Sequence, residues 1–264
     1  MTDSACSTDS AGSADSAGRP GPSTRVPTCP EWTLQDLVGH VGGAHRWVTH
    51  LIRTGGTDAA KALPGTVPDD PRAWHGWLRD GVEDLIAAYE ANPDGTVEHP
   101  LLGTWPTVRW LRRMTHETSI HHADAAFTAG RPFALADDLA ADGISECLEL
   151  LSNVSAVEHK PGLAELRGRG ETVFLRPARL RPARLRPAER SSAGWLITRT
   201  PEGPVWERED GCGGGGAAAD VTVAGPVRDL LLVLARRLTP DDAHEVKVTG
   251  DRSLLDHWLT HTAV

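Results

Sequence analysis

The chain has 264 residues, a formal net charge of −9 and 39% hydrophobic residues, a composition typical of a globular protein rather than a disordered one. The acidic balance argues against a nucleic-acid partner, whose binding proteins are usually basic, and no apolar run is long enough to span a membrane. The N-terminus lacks the basic start and apolar stretch of a secretory signal. Four cysteines without a CxxC pair favour reduced thiols. We therefore expect a cytoplasmic protein with neither a membrane nor a nucleic acid as partner.

The first 24 residues differ from the rest of the chain. Residues 1–24 repeat Asp-Ser-Ala units and contain no large apolar side chain after Met1. Burial cannot offset the entropy cost of ordering such a segment. We expect a disordered tail over 1–24, with order beginning just after it.

Four segments then carry apolar side chains at helical spacing. Thr33 followed by Asp36 resembles a capping box before the first segment, and Asp70-Pro71 resembles an N-cap with proline at the first helical position before the second. The four predicted helices cover about 33–54, 71–92, 106–128 and 135–152. Helices of this number and length suggest a four-helix bundle, so we expect an N-terminal helical domain over 25–160.

From residue 161 the pattern changes to short strands and shorter helices. The predicted strands are 171–175, 194–199, 204–208, 221–223 and 244–248, and the predicted helices are 226–238 and 253–259. Loop insertions are predicted at 176–190, where RPARL units repeat, and at the Gly-rich 211–219. A basic patch for phosphate or nucleic acid is an alternative for the arginine repeat, but a duplicated loop kept extended by proline is preferred. The fold class is therefore α+β, with a small α/β domain over 161–264.

The third predicted helix carries a candidate metal motif. Glu117 and His121 are four residues apart, so both project from one helix face about one turn apart. His116 and His121 diverge by roughly 140° around a helix of 3.6 residues per turn, so His116 cannot easily share an ion with His121. The spacing also differs from HExxH, which excludes a zincin protease.

A third ligand must come from another helix. His40 is the best candidate because it lies amid the apolar stripe of the first helix, where an inward histidine needs a partner, whereas His45 and His50 are interpreted as surface residues. Two histidines and one glutamate leave an open coordination position, as in catalytic zinc sites. The alternative is a hydrogen-bonded core histidine beside a solvated Glu/His pair, and spacing alone leaves both open.

Three segments resemble the mycothiol-dependent maleylpyruvate isomerase family: CPEWTLQDLVGHVGGAHRW, HETSIHHAD and ADGISECLELL. The stretch from about 193 to 259 resembles the small sterol-carrier-like domain of that family. The resemblance implies a DinB-like helical bundle, with His40, Glu117 and His121 as ligands of a divalent metal, most readily zinc. It also implies mycothiol as the thiol cofactor and an active-site arginine that matches Arg236. A cation stabilising a helix C-terminus is the alternative for Arg236.

Several nearby residues are assigned less specific roles. Asp124, three residues after His121, is interpreted either as an acceptor that orients an imidazole or as a solvated helix residue. Asp142 and Glu146 are interpreted as helix surface. Trp32 and Trp110 are candidates for lining a cleft.

Three functions follow from these assignments. The first is a mycothiol-dependent isomerase or S-transferase, in which a thiolate attacks a small electrophile and a cation such as Arg236 holds a substrate carboxylate. The second is hydrolysis by metal-activated water. The third is a non-catalytic protein that binds a metal and an apolar ligand. We expect a monomer whose partners are a small-molecule substrate and a low-molecular-weight thiol.

Overall fold

The computed structural model describes residues 20–56, 65–100, 102–152, 161–178, 194–209 and 219–262. The predicted tail falls mostly on residues 1–19, which lie outside the described residues, as do 179–190 and 211–218 of the two predicted insertions. The first insertion was predicted to begin at residue 176, but Arg176 and Pro177 belong to a strand.

The described residues of the N-terminal half form three α-helices that pack on one another and two short hairpins. Its elements are β1 (Arg25–Val26), β2 (Cys29–Thr33), α1 (Leu34–Thr54), α2 (Trp74–Ala91), β3 (Thr96–His99), β4 (Gly103–Pro106) and α3 (Thr107–Thr128). The predicted capping box is confirmed, since Thr33 accepts from the Asp36 backbone and Asp36 accepts from that of Thr33. The hairpins β1–β2 and β3–β4 were not predicted, because their strands are too short to show alternation.

The C-terminal half is a five-stranded sheet with helices packed against it. Its elements are α4 (Asp137–Leu151), β5 (Thr172–Pro177), β6 (Gly194–Thr200), β7 (Gly203–Glu209), β8 (Val221–Gly225), α5 (Val227–Leu234), β9 (Lys247–Gly250) and α6 (Arg252–His261). The strand order is β7-β6-β5-β8-β9, with β5 parallel to β8 and the other neighbours antiparallel. The α+β class predicted from the sequence is therefore confirmed.

Helix α4, predicted as part of a helical bundle, packs mainly against the C-terminal half. Its buried Ile144 and Leu148 share one apolar core with Val173 and Leu175 of the sheet and with Leu230 of α5. The core shared by α1, α2 and α3 is a second cluster, and Leu150 of α4 packs against it. The spacing of apolar residues in α4 correctly predicted a helix, but it does not indicate against which hydrophobic core the helix packs. A domain boundary near residue 160 stays a prediction, and α4 bridges the two halves.

Helix α5 packs against both α4 and the sheet, and its residues other than Arg228 are buried. A helix that is apolar on nearly all sides needs neighbours all round. The helix ends at Leu234, and Arg236 then adopts a left-handed backbone with φ 60°. This turn directs the following chain back toward α3, where it contacts the candidate site. Within the described residues, no helix combines the length and the hydropathy needed to cross a membrane.

Candidate metal centre

The side chains of His40, Glu117 and His121 converge where α1 packs on α3. His40 Nε2 lies 2.8 Å from Glu117 Oε1, and His121 Nε2 lies 3.2 Å from the same oxygen. One donor atom from each residue lies within 4.8 Å of the others. The structure therefore brings together the three residues that the sequence nominated.

The chemistry of this cluster fits a divalent metal ion. Two imidazole nitrogens and one carboxylate oxygen form a donor set typical of zinc, and a cation could replace the hydrogen bonds that now join them. The ring of His121 uses its other nitrogen, Nδ1, to contact the Asp124 carboxylate at 2.8 Å. A carboxylate on the far nitrogen is the usual support of a metal-binding histidine, because it fixes the tautomer and directs the free lone pair toward the ion.

Glu117 is held by its second oxygen. Arg113, one turn earlier on α3, donates to Glu117 Oε2, and its other nitrogen donates to Glu146 Oε2 at 3.0 Å. Burial alone would raise the pKa of Glu117, but the hydrogen bonds from His121 and His40 and the Arg113 charge outweigh it and hold that pKa well below its ordinary value. Glu117 is therefore ionised, with Oε1 directed at both imidazoles.

Asp124 is the centre of a second buried network. Its side chain is fully buried and accepts from Thr28 Oγ1 at 2.5 Å and from two Arg237 nitrogens at 3.0 Å each. Burial opposes the charge, but His121, Arg237 and Thr28 stabilise the carboxylate and lower its pKa to about 2. For His121, burial disfavours the charged ring, yet the contacts with Asp124 and Glu117 raise its pKa above the ordinary value.

The arginine that reaches this network is Arg237 rather than the expected Arg236. The Arg236 side chain is exposed beside its left-handed backbone, whereas the Arg237 side chain is only 15% exposed and pairs with Asp124. The role that the resemblance implies for Arg236 stays a prediction. Of the two adjacent arginines, Arg237 is the one that points toward Asp124, because the chain turns after α5. The catalytic role expected of Arg236 is therefore not supported by its position.

The histidines of α1 also differ from their expected environments. His40 was expected to face inward, but its side chain is 38% exposed. His45 was expected at the surface, but it is buried, with Nε2 2.8 Å from Thr118 Oγ1. Burial, and secondarily Arg46, lower the pKa of His45. Exposure of His40 leaves one side of the cluster accessible from solvent.

Asp142 is exposed, as expected of a helix-surface residue, and it takes part in the packing of α3 on α4. His116 is buried and lies 2.7 Å from Asp142, away from the cluster as predicted. Asp142 also accepts from Arg112 at 2.8 Å. Glu146 is buried rather than exposed, because it neutralises Arg113.

A cleft opens beside His40, which we call the α1 cleft. It has a volume of about 570 Å³ and is lined by Glu31, Trp32, Gln35, Asp36, Gly39, His40 and Val67. The Trp32 ring lies 4.7 Å from the His40 ring and 5.6 Å from the His121 ring, measured between centroids. Trp32 therefore forms a wall common to the cleft and the cluster, as its sequence position suggested, while Trp110 is buried in the helical core instead.

Sequence reasoning missed four residues that support the cluster: Arg113, Glu146, Arg237 and Thr28. A signal existed for Arg113, which precedes Glu117 by four residues on one helix face. The other three approach from separate elements, so no local spacing identifies them.

The α+β fold and the His–Glu–His cluster between two helices are those of a candidate metal-binding protein with a single metal site. Comparison with family models gives two matches, and both belong to one family. Residues 4–126 match the mycothiol maleylpyruvate isomerase N-terminal domain, and residues 138–257 match the C-terminal domain of the same family. The chain therefore belongs to the mycothiol-dependent maleylpyruvate isomerase family. The second match begins at the start of α4, the helix that packs against the sheet.

Solved structures and curated proteins add little to this assignment. A protein titled UbiJ-SCP2 ubiquinone synthesis protein matches with a TM-score of 0.32 and 15% identity, over 49% of this chain and 93% of its own. The sec-alkylsulfatase Pisa1 from Pseudomonas sp. matches with a TM-score of 0.30 and 15% identity, over 88% of this chain but only 30% of its own. No curated protein matches the chain.

Proposed function

We propose that the chain is a metal-dependent enzyme that uses mycothiol to isomerise, or to transfer sulfur to, a small electrophilic substrate. The observation that carries this proposal is the convergence of His40, Glu117 and His121 within 4.8 Å at the edge of an open cleft. Membership of the mycothiol-dependent family supports the choice of thiol. A divalent ion held by these residues would supply a Lewis acid that deprotonates a thiol reaching its open position.

The residues around the cluster favour an anionic partner for such an ion. The connected network contains three carboxylates, Glu117, Asp124 and Glu146, against the two guanidiniums of Arg113 and Arg237. With both imidazoles neutral, this network carries one net negative charge. A divalent ion would convert that to one net positive charge, and a single anionic ligand would neutralise it. Because uncompensated charge is costly in a partly buried setting, the balance supports a monoanionic ligand such as a thiolate or a hydroxide.

Each protein group has a defined part in this proposal. Arg113 occupies Glu117 Oε2, so that Oε1 stays directed at the position between the imidazoles. Asp124 holds the proton on His121 Nδ1 and keeps Nε2 free to bind. Arg237 donates to Asp124 and to the Ala235 carbonyl, and is therefore assigned to positioning rather than to binding a substrate carboxylate. Trp32 covers both rings and limits access of water from its side.

Cobalt substitution tests the proposal directly. Adding mycothiol to the cobalt protein should produce a new sulfur-to-metal charge-transfer band, because a thiolate enters the open position. The response should weaken as pH falls, since binding needs neutral imidazoles and a deprotonated sulfur. Glutathione should perturb the spectrum less, and His40→Ala, prepared in parallel, should give no band.

If saturating mycothiol leaves the cobalt spectrum unchanged, mycothiol is not a ligand of the metal. The metal centre itself would still stand. Metal-activated water would then be the better explanation. Product analysis separates the two thiol reactions, because isomerisation returns the free thiol whereas S-transfer leaves it attached to the product.

A further inference from the structure

Two glycines of α1 lie in different environments. A methyl group added to Gly42 would lie 2.0 Å from the Trp77 ring, so close packing of α1 on α2 explains why no side chain is present there. A methyl group on Gly39 would meet, among the described residues, only Val67 at 3.7 Å, an ordinary contact. Glycine within a helix costs about 1 kcal/mol relative to alanine. Packing within the described part of the chain does not account for that cost at Gly39.

Gly39 instead forms part of the wall of the α1 cleft, next to His40. Without a side chain at this position, the helix backbone itself borders the cavity directly beside the metal-site cluster. The cleft volume of about 570 Å³ lies within the range of small-molecule sites. The missing side chain therefore leaves space beside His40, where a ligand of the metal could extend away from it.

Two polar side chains of the α1 cleft, Glu31 and Gln35, are available for hydrogen bonding. Glu31 is exposed and Gln35 is half-buried, and neither side chain has a hydrogen bond or ion pair with any residue that the structure describes. Asp36 differs, because its carboxylate already accepts from Thr33 at the start of α1. Glu31 and Gln35 thus offer a carboxylate and an amide to a ligand without giving up a hydrogen bond to a described residue.

Trp32 supplies the apolar surface that complements these groups. An aromatic ring flanked by hydrogen-bonding side chains suits a ligand made of hydroxyl-bearing rings, whose faces are apolar and whose edges are polar. Because Trp32 also contacts the His40 and His121 rings, a ligand on its surface would lie immediately beside the metal position.

We propose that the α1 cleft binds the hydroxyl-rich carrier portion of the thiol cofactor, with Trp32 as a platform, Glu31 and Gln35 as hydrogen-bonding partners and Gly39 as the opening. This inference rests on the proposed function. Mycothiol carries its cysteine on sugar-like rings, and the cleft gives those rings a place while the sulfur reaches the space beside His40. The cleft therefore distinguishes mycothiol from thiols that lack such a carrier.

Filling the cleft at Gly39 tests this inference. In Gly39→Leu the zinc content should stay near that of the unaltered protein, because leucine favours the helix and a Cβ at this position meets only an ordinary contact among the described residues. Affinity for mycothiol, measured by titration of the cobalt protein, should fall about tenfold or more, equivalent to roughly 1.4 kcal/mol. Affinity for N-acetylcysteine, a thiol without the sugar-like rings, should change little.

The matched control is Gly76→Leu, at a position on α2 where an added Cβ meets no atom within 4 Å; it should leave both affinities unchanged. Undiminished mycothiol affinity in Gly39→Leu would overturn the inference. So would an equal loss for both thiols, which would place the effect at the metal centre. If the unaltered cobalt protein binds neither thiol, the proposed function fails, and this inference fails with it.

Discussion

Arg237 donates to both carboxylate oxygens of Asp124 at 3.0 Å, and the same carboxylate contacts Nδ1 of His121 at 2.8 Å. A residue that follows α5 in the C-terminal half thereby fixes the orientation of an imidazole on α3. The support is buried, since Asp124 has no exposed surface. The metal-site cluster of the helical half therefore depends on the docking of the C-terminal half.

Removing Arg237 should damage both stability and metal binding. Arg237→Ala leaves the buried Asp124 carboxylate without its cation, and breaking a buried ion pair costs about 3 kcal/mol or more. Zinc affinity should fall by roughly ten- to a hundredfold, as is typical when the support of a metal-binding histidine is lost. Urea unfolding and competition with a chelator measure the two effects.

Arg236→Gly is the matched control at the adjacent arginine. Glycine accepts φ 60° without strain, so this change should preserve or raise the free energy of unfolding, by up to about 1 kcal/mol. Zinc affinity and activity should stay unchanged. Loss of activity in Arg236→Gly, with none in Arg237→Ala, would restore the catalytic role first expected of Arg236.

The metal-ligand assignment is tested by metal content. The purified protein should bind close to one equivalent of zinc per chain, and His40→Ala should lose most of it, because one of three donors is removed. His116→Ala should retain it, since His116 pairs with Asp142 outside the cluster. Elemental analysis of folded protein decides the point, and equal zinc content in the two variants would contradict the assignment.

Glu146 should influence the metal centre without touching it. In Glu146→Gln, Arg113 loses its second anionic partner, so its charge acts on Glu117 alone and competes more strongly with a metal ion. Zinc affinity should fall by about tenfold, measured by chelator competition. Glu149→Gln, on the same helix, removes instead a partner of Arg112 and should have little effect. Equal zinc affinity in both variants would exclude this role for Glu146.

Burial of His45 predicts a pH dependence of stability. Because burial lowers the pKa of folded His45, the unfolded chain takes up a proton at this residue at higher pH than the folded chain does. The contribution of His45 to the free energy of unfolding therefore falls as pH drops below about 6.5, the ordinary histidine value. His45→Gln should unfold with a weaker pH dependence between about pH 7.5 and 5.5, measured in urea. His75→Gln, at an exposed position, should keep the original dependence, and an unchanged slope in His45→Gln would contradict the prediction.

The connection between β5 and β6 should tolerate shortening. Leu175 pairs with Trp195 in adjacent antiparallel strands, so the chain ends that a connection must join lie close together. Replacing residues 179–190 by a short Gly-containing link should leave zinc content unchanged and shift the free energy of unfolding by less than about 1 kcal/mol. A large loss of stability or activity would show that the arginine repeat has a role.

Local sequence patterns predicted much of this protein. Helical periodicity and the Thr33–Asp36 capping box identified α1, and the four-residue spacing of Glu117 and His121 placed both on one face of α3. These features depend only on residues within one or two helical turns of each other, and the energetics of a helix act over that range. The sequence also predicted His40 as a metal ligand, but it predicted that His40 faces inward. In the structure His45 is the buried histidine of α1, and His40 is partly exposed.

Tertiary structure alone decided how the cluster is supported. Arg237 and Asp124 are separated by 113 positions and Arg113 and Glu146 by 33, so each pair meets only after the turn following α5 and the packing of α4 are set. The same packing placed α4 on the sheet and turned Arg237, rather than Arg236, inward. An amphipathic pattern shows that one face will be buried but not which partner will cover it. Which side chains meet across separate elements depends on how the helices and the sheet pack together.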